Sequence, residues 1–183
     1  MILEIRQGLI NKYLIRPISY FWYHFMMFVG VNSLYIMVYI SLLVAFVFIY
    51  PGILFNSLIS IIGFGISLLL SIYLSYCIYF IMVCFAFWFG EVRSIVVAYN
   101  LGMLMISGQY IPVRLFPENI ISIISWTPLI YLVDFPVSTA VGLYTLNEWI
   151  YNLGFSLLWC LIVTFFSFYI YNKGISQYEA YGQ

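Results

Sequence analysis

Residues 18–90 read ISYFWYHFMMFVGVNSLYIMVYISLLVAFVFIYPGILFNSLISIIGFGISLLLSIYLSYCIYFIMVCFAFWFG, and no Asp, Glu, Lys or Arg occurs from Pro17 to Gly90. A helix crosses roughly 30 Å of hydrocarbon with about 20 apolar residues, so this run holds two crossings. Pro51-Gly52 is its strongest turn dipeptide and divides it. Gly30-Val31-Asn32-Ser33 is the expected break within the first half. Two further charge-free runs, Ser94 to Val113 and Ile150 to Asn172, give one crossing each. The expectation is an all-α integral membrane protein with four transmembrane helices at 20–50, 54–89, 94–111 and 149–172. The whole chain, 1–183, then forms a single polytopic membrane domain.

Composition agrees with that pattern. Of 183 residues, 66% are apolar, 22% aromatic and only 7% charged, where a soluble domain carries roughly 25% charged residues. So little polar surface cannot cover a water-soluble globule, and so much hydrophobicity excludes intrinsic disorder. Six basic and six acidic residues give no net charge, and no basic face for nucleic acid. Cys77, Cys84 and Cys160 lack CxxC spacing and read as small apolar fillers. The first residues lack the short apolar stretch and cleavage site of a signal peptide, and no lipidation motif is present.

Lys and Arg are retained in the cytoplasm. With the N-terminus inside, Arg6, Lys12, Arg16, Arg93 and Lys173 are cytoplasmic and Arg114 lies outside. Four crossings return the C-terminus to the same side, so both termini are expected in the cytoplasm.

The segments between crossings carry the functional signals. Over residues 2–16, Ile2, Ile5, Leu9 and Tyr13 fall on one helical face, with Glu4, Gln7 and Asn11 opposite, until Pro17 ends the helix. Such an amphipath lies flat at the cytoplasmic surface, as an anchor for the first crossing or as an element that docks a partner. Residues 112–148 hold four of the six prolines, Pro112, Pro117, Pro128 and Pro136. Residues 119–133 are apolar but too short to cross, which predicts a pair of short re-entrant helices split at Pro128 on the outer side. Asp134-Phe-Pro is expected to cap or break a re-entrant helix. The segment either shapes the exit of a pathway or caps the bundle.

Gly63, Ser67, Ser71 and Ser75 recur every fourth residue, as do Ser94, Ala98 and Gly102. Small residues at this spacing let helices approach closely in lipid, so both stripes read as packing faces. Tyr73, Tyr76 and Phe80 form an aromatic stripe on another side, suited to packing or to lining an apolar route. His24 and Asp134 are the ionisable groups nearest the predicted membrane boundaries, and His24 reads as a hydrogen-bonded or snorkelling residue. Glu91 and Arg93 are expected as a solvated pair in the turn between the second and third crossings.

No HExxH, GxSxG or GxxxxGK[ST] motif occurs, and no pair of membrane aspartates. The chain is therefore not expected to be an enzyme, to hold a metal or to bind ATP itself. Any uphill movement must draw its energy from a partner.

Arg6-Gln-Gly-Leu-Ile-Asn-Lys-Tyr-Leu-Ile-Arg-Pro-Ile-Ser19 resembles the cytoplasmic segment before the third span of bacterial type-2 ABC exporter permeases. Ala86-Phe-Trp-Phe resembles the aromatic signature of one subfamily. Ser107-Gly-Gln-Tyr-Ile-Pro-Val-Arg-Leu-Phe-Pro117, continued by Trp126-Thr-Pro-Leu-Ile-Tyr131 and Phe135-Pro136, resembles its outer loop and re-entrant helices. These stretches stand in the family's order and cover nearly the whole chain. The family usually has two more spans before the first of these stretches, so the resemblance implies either a truncated or split gene product or spans supplied by another chain.

The resemblance implies that residues 2–16 are a coupling helix docking on a separate ABC ATPase, which holds the ATP and Mg. Arg6, Leu9, Lys12, Tyr13 and Arg16 would carry that contact. It implies an outer re-entrant gate at Pro112, Pro117, Pro128, Asp134 and Pro136. It also implies a second permease subunit, identical or not, and a place in the bacterial cytoplasmic membrane. A lipophilic or amphipathic substrate would suit an aromatic-lined path. Two other readings remain open at this point: a non-transporting scaffold, immunity protein or permease remnant, and an ion-coupled carrier or channel using Asp134 or His24.

Overall fold

The computed structural model describes Met1, Glu4, Ile5, Tyr13 and residues 19–55, 58–89 and 92–181, with side chains described outside 58–59 and 178–181. Among these, the regular elements are all helical: α1 (Tyr20–Ile49), α2 (Leu58–Cys84), α3 (Arg93–Ile106), α4 (Glu118–Ser125), α5 (Asp134–Val141) and α6 (Leu146–Tyr181). Short 3₁₀ turns follow at Phe85–Phe87, Val113–Leu115 and Pro128–Tyr131. Arg6, Leu9, Lys12, Arg16 and Glu91 lie outside the described residues.

Three helices, α1, α2 and α6, are long and apolar enough to cross a membrane. Their 30, 27 and 36 residues reach about 45, 40 and 54 Å at 1.5 Å per residue, so each exceeds the hydrocarbon thickness. The third expected crossing, 94–111, is represented by α3 of 14 residues, about 21 Å long. It ends at Ile106 because the chain turns at Gly108, whose φ of +85° belongs to the left-handed region.

The break expected at Gly30–Ser33 does not occur, and α1 runs through it. The Asn32 side-chain amide donates to the Phe28 carbonyl at 2.7 Å, and the Ser33 hydroxyl donates to the Gly30 carbonyl at 2.7 Å. The polar side chains are thus satisfied along the helix itself. Interrupting the helix in lipid would instead free backbone groups with no water to receive them.

The core is built on α2, which packs against α6 along its length and against α5 near its start. Leu74, Tyr76, Cys77, Phe80, Val83 and Cys84 are fully buried along it. Cys77, Cys84 and Cys160 are buried free thiols. Gly63 lets the Trp149 indole lie against α2: a Cβ there would stand 3.1 Å from its Nε1 and 3.2 Å from a Thr139 methyl. The α1 helix behaves differently. It buries Tyr20, Phe21 and His24 at its start, and none of its most apolar stretch is covered.

All four prolines of residues 112–148 begin helical segments. Pro112 and Pro117 occupy the N-cap positions of Val113–Leu115 and α4. Pro128 opens its 3₁₀ turn, and Pro136 sits in the first turn of α5. The missing proline N–H costs nothing there, because the first N–H groups of a helix have no partner within it. This corrects the expectation that Asp134-Phe-Pro caps or breaks a helix. Asp134 starts α5 without a side-chain cap, and the helix continues through Pro136 to Val141. At the end of α5, Gly142 (φ +75°) takes the left-handed position and the Leu143 N–H donates to the Ser138 carbonyl at 3.0 Å. Thr145 and Glu148 then form a capping box at the start of α6, with the Thr145 N–H donating to Oε2 of Glu148 at 2.8 Å.

Candidate functional site

Two polar clusters interrupt the apolar bundle, one at the start of α1 and one around the start of α5. The first is framed by aromatic rings. Phe21 lies 5.1 Å from Tyr76, 5.0 Å from Phe80 and 4.8 Å from Phe168, while Tyr20 stacks on Tyr171 at 5.4 Å. The Tyr76 hydroxyl donates to the Phe21 carbonyl at 2.6 Å. These contacts fix the base of α1 to α2 and α6.

Above this knot, His24 is 3% exposed and surrounded by the rings of Tyr20 (4.3 Å), Tyr23 (5.2 Å) and Tyr13 (5.6 Å). Its Nε2 lies 3.1 Å from Oε2 of Glu4, and the Tyr13 hydroxyl donates to Oε1 of Glu4 at 3.1 Å. The Met1 nitrogen stands 3.2 Å from the same Oε2. Ile5 is buried, as its apolar face predicts, but Glu4 faces Tyr13 rather than lying opposite it. Of the expected coupling set, Tyr13 is the described member, and it is buried. Sequence reasoning missed Glu4. Its signal was available only as a lone carboxylate beside a lone histidine, separated by Pro17.

The second cluster forms where α3 ends and α5 begins. The Asp134 N–H donates to the Ser107 carbonyl at 3.2 Å, holding the two elements together. The Asp134 side chain is 8% exposed, receives the Ser138 hydroxyl at 3.3 Å and accepts a hydrogen bond from the Val113 backbone. Burial pushes its carboxyl above the usual carboxylate range; the Val113 and Ser138 hydrogen bonds and the charge of Arg114 pull the other way. Arg114 stands 5.6 Å over the Tyr144 ring. A Cβ at Gly108 would stand 3.1 Å from Oδ1 of Asp134, so a residue without one is required there.

Of the expected gate residues, Asp134 belongs to this cluster. Pro112 and Pro117 flank the turn carrying Val113 and Arg114, and Pro136 lies on α5 beside Asp134. Pro128 starts the turn that delivers Leu132, whose carbonyl accepts the buried Ser71 hydroxyl. Arg114, Gly108 and Tyr144 were not named as site residues from sequence, because their roles depend on a carboxylate distant along the chain.

In the small-residue stripes, Ser67 and Ser71 are buried and Ser75 half-buried. Ala98 is exposed, and nothing lies within 4 Å of a Cβ at Gly102, so the α3 stripe has no packing partner among the described residues. Between α1 and α2 opens a cleft of about 710 Å³, lined by Tyr39, Val44, Phe48, Phe64 and Leu68 among other apolar side chains. No group of three or more His, Cys, Asp or Glu that could hold a metal occurs among the described residues.

An apolar bundle with a proline-rich segment and polar clusters at its joints defines a polytopic membrane protein. A family model described as ABC-2 family transporter protein matches residues 2–182, and the chain belongs to that family. It is a membrane transport permease component. No curated protein and no solved structure matches it.

Proposed function

We propose that the chain is the permease subunit of an ATP-driven exporter, working with a separate ABC ATPase subunit and a second permease subunit in the bacterial cytoplasmic membrane. The family match over residues 2–182 carries this reading, since ABC-2 permeases normally work with an ABC ATPase. Residues 2–16 serve as the coupling helix on the cytoplasmic side. Closure of the ATPase subunits shifts them and rocks the crossings between two states. Residues 112–142 form the outer gate. The apolar lining of the α1–α2 cleft supports a lipophilic or amphipathic substrate.

The test is co-purification of an ABC ATPase subunit with the tagged chain from membranes of its source cells, in wild type and in the Leu9→Asp and Arg16→Glu variants. Wild type is expected to retain the ATPase through detergent extraction, and each variant to lose at least about fivefold of it while inserting normally, roughly 1 kcal/mol at the interface. Equal recovery in all three overturns the docking role of residues 2–16. A wild-type chain that recruits no ATPase favours the scaffold reading.

A further inference from the structure

The coupling reading leaves open how a push on residues 2–16 reaches the crossings, and the first polar cluster supplies a route. Glu4 belongs to the N-terminal segment, and His24 stands one turn inside α1. Their side chains meet at 3.1 Å, and the Tyr13 hydroxyl holds the other carboxylate oxygen at 3.1 Å. Two points of the N-terminal segment are thus tied to one imidazole on the membrane helix. The described titratable side chains facing this contact are Glu4, Tyr13, Tyr20 and Tyr23.

The imidazole is itself fixed. Tyr20 packs on it at 4.3 Å and stacks on Tyr171 of α6, while lying 6.1 Å from Phe80 of α2. Beyond this base, α1 is free of the bundle across its most apolar stretch. A displacement applied at Glu4 therefore acts at the pivot of a lever about 45 Å long. A contact closed to solvent on its imidazole side, where His24 is 3% exposed, is less screened than one at a surface, which suits it to transmit force.

We propose that Glu4 and His24 are positioning residues that form the mechanical joint between the coupling segment and the first crossing, with Tyr13 orienting the carboxylate. This rests on the coupling reading above. Movement of the segment turns α1 about the aromatic knot and opens or closes the α1–α2 cleft.

The chain contains a single histidine, so selectively ¹⁵N-histidine-labelled protein in nanodiscs gives one imidazole signal. Glu4→Gln is expected to move that signal, and Glu118→Gln on α4 to leave it in place. The second readout is stimulation of ATP hydrolysis by the co-purified ATPase subunit. Glu4→Gln and His24→Leu are expected to reduce it at least fivefold with ATPase association retained, and His24→Gln, which keeps a donor, to restore most of it. An unmoved imidazole signal, or full stimulation in Glu4→Gln and His24→Leu, overturns the joint and leaves the coupling reading standing. A wild-type chain that binds no ATPase overturns the coupling reading and the joint's role with it.

Discussion

Asp134 is held where the protein suppresses its charge, and this has a measurable consequence. Burial raises its carboxyl in the folded state above the value near 3.9 of an unfolded aspartate. The folded state then binds the proton more tightly. The stabilisation is complete below the unfolded value and is lost as pH rises through the raised folded value. The thermal midpoint of the detergent-solubilised chain should therefore fall as pH rises above about 4, and Asp134→Asn should flatten that profile. A variant whose profile runs parallel to wild type would remove Asp134 as its source. Gly108 belongs to the same site. Gly108→Ala meets both a left-handed backbone and the Asp134 carboxylate, and should cost about 1–3 kcal/mol by thermal unfolding. Tyr76→Phe loses a buried hydrogen bond to the Phe21 carbonyl and should cost about 1–3 kcal/mol.

At the scale of elements, α1, α2 and α6 were legible because lipid imposes one rule, a long run without charge, and that rule needs no tertiary knowledge. The Gly30–Ser33 region was misread because glycine and asparagine end helices in water but need not in lipid, where Asn32 and Ser33 bond back to their own helix. Pro136 was read as a breaker when it sits in the first turn of its helix, because local sequence does not say which side of a proline the helix occupies. The split expected at Pro128 is found, with α4 ending at Ser125 and the next turn opening at Pro128. Asp134 was found from sequence, but its partners were not: Ser107, Val113 and Arg114 precede it by twenty residues or more. Glu4 and His24 are separated in the same way, so their pairing followed from no local spacing. The contact between α6 and the turn after α2 yields a further prediction. A Cβ at Gly174 would overlap the Phe87 ring. Gly174→Ala should lower stability by about 1–3 kcal/mol despite alanine's better helix propensity, and in a Phe87→Ala background the same substitution should cost little. An undiminished cost in that background would show that the ring is not its cause.

At the scale of the whole molecule, α2 and α6 form the fixed body, α1 is attached at its base, and the proline-rich hairpin closes the far end through the bond from the Phe55 N–H to the Ala140 carbonyl at 2.9 Å. A lever hinged at one end beside an apolar cleft is suited to two discrete arrangements, which coupling to an external energy source requires. Membership of the ABC-2 family places that source on another subunit in the normal arrangement. The most direct measurement is the rate of ATP hydrolysis by the co-purified ATPase subunit in nanodiscs, with and without this chain. Wild type is expected to raise the rate severalfold and Leu9→Asp to abolish the increase. An ATPase rate that is the same with wild type, with Leu9→Asp and with no permease at all would contradict the coupling reading.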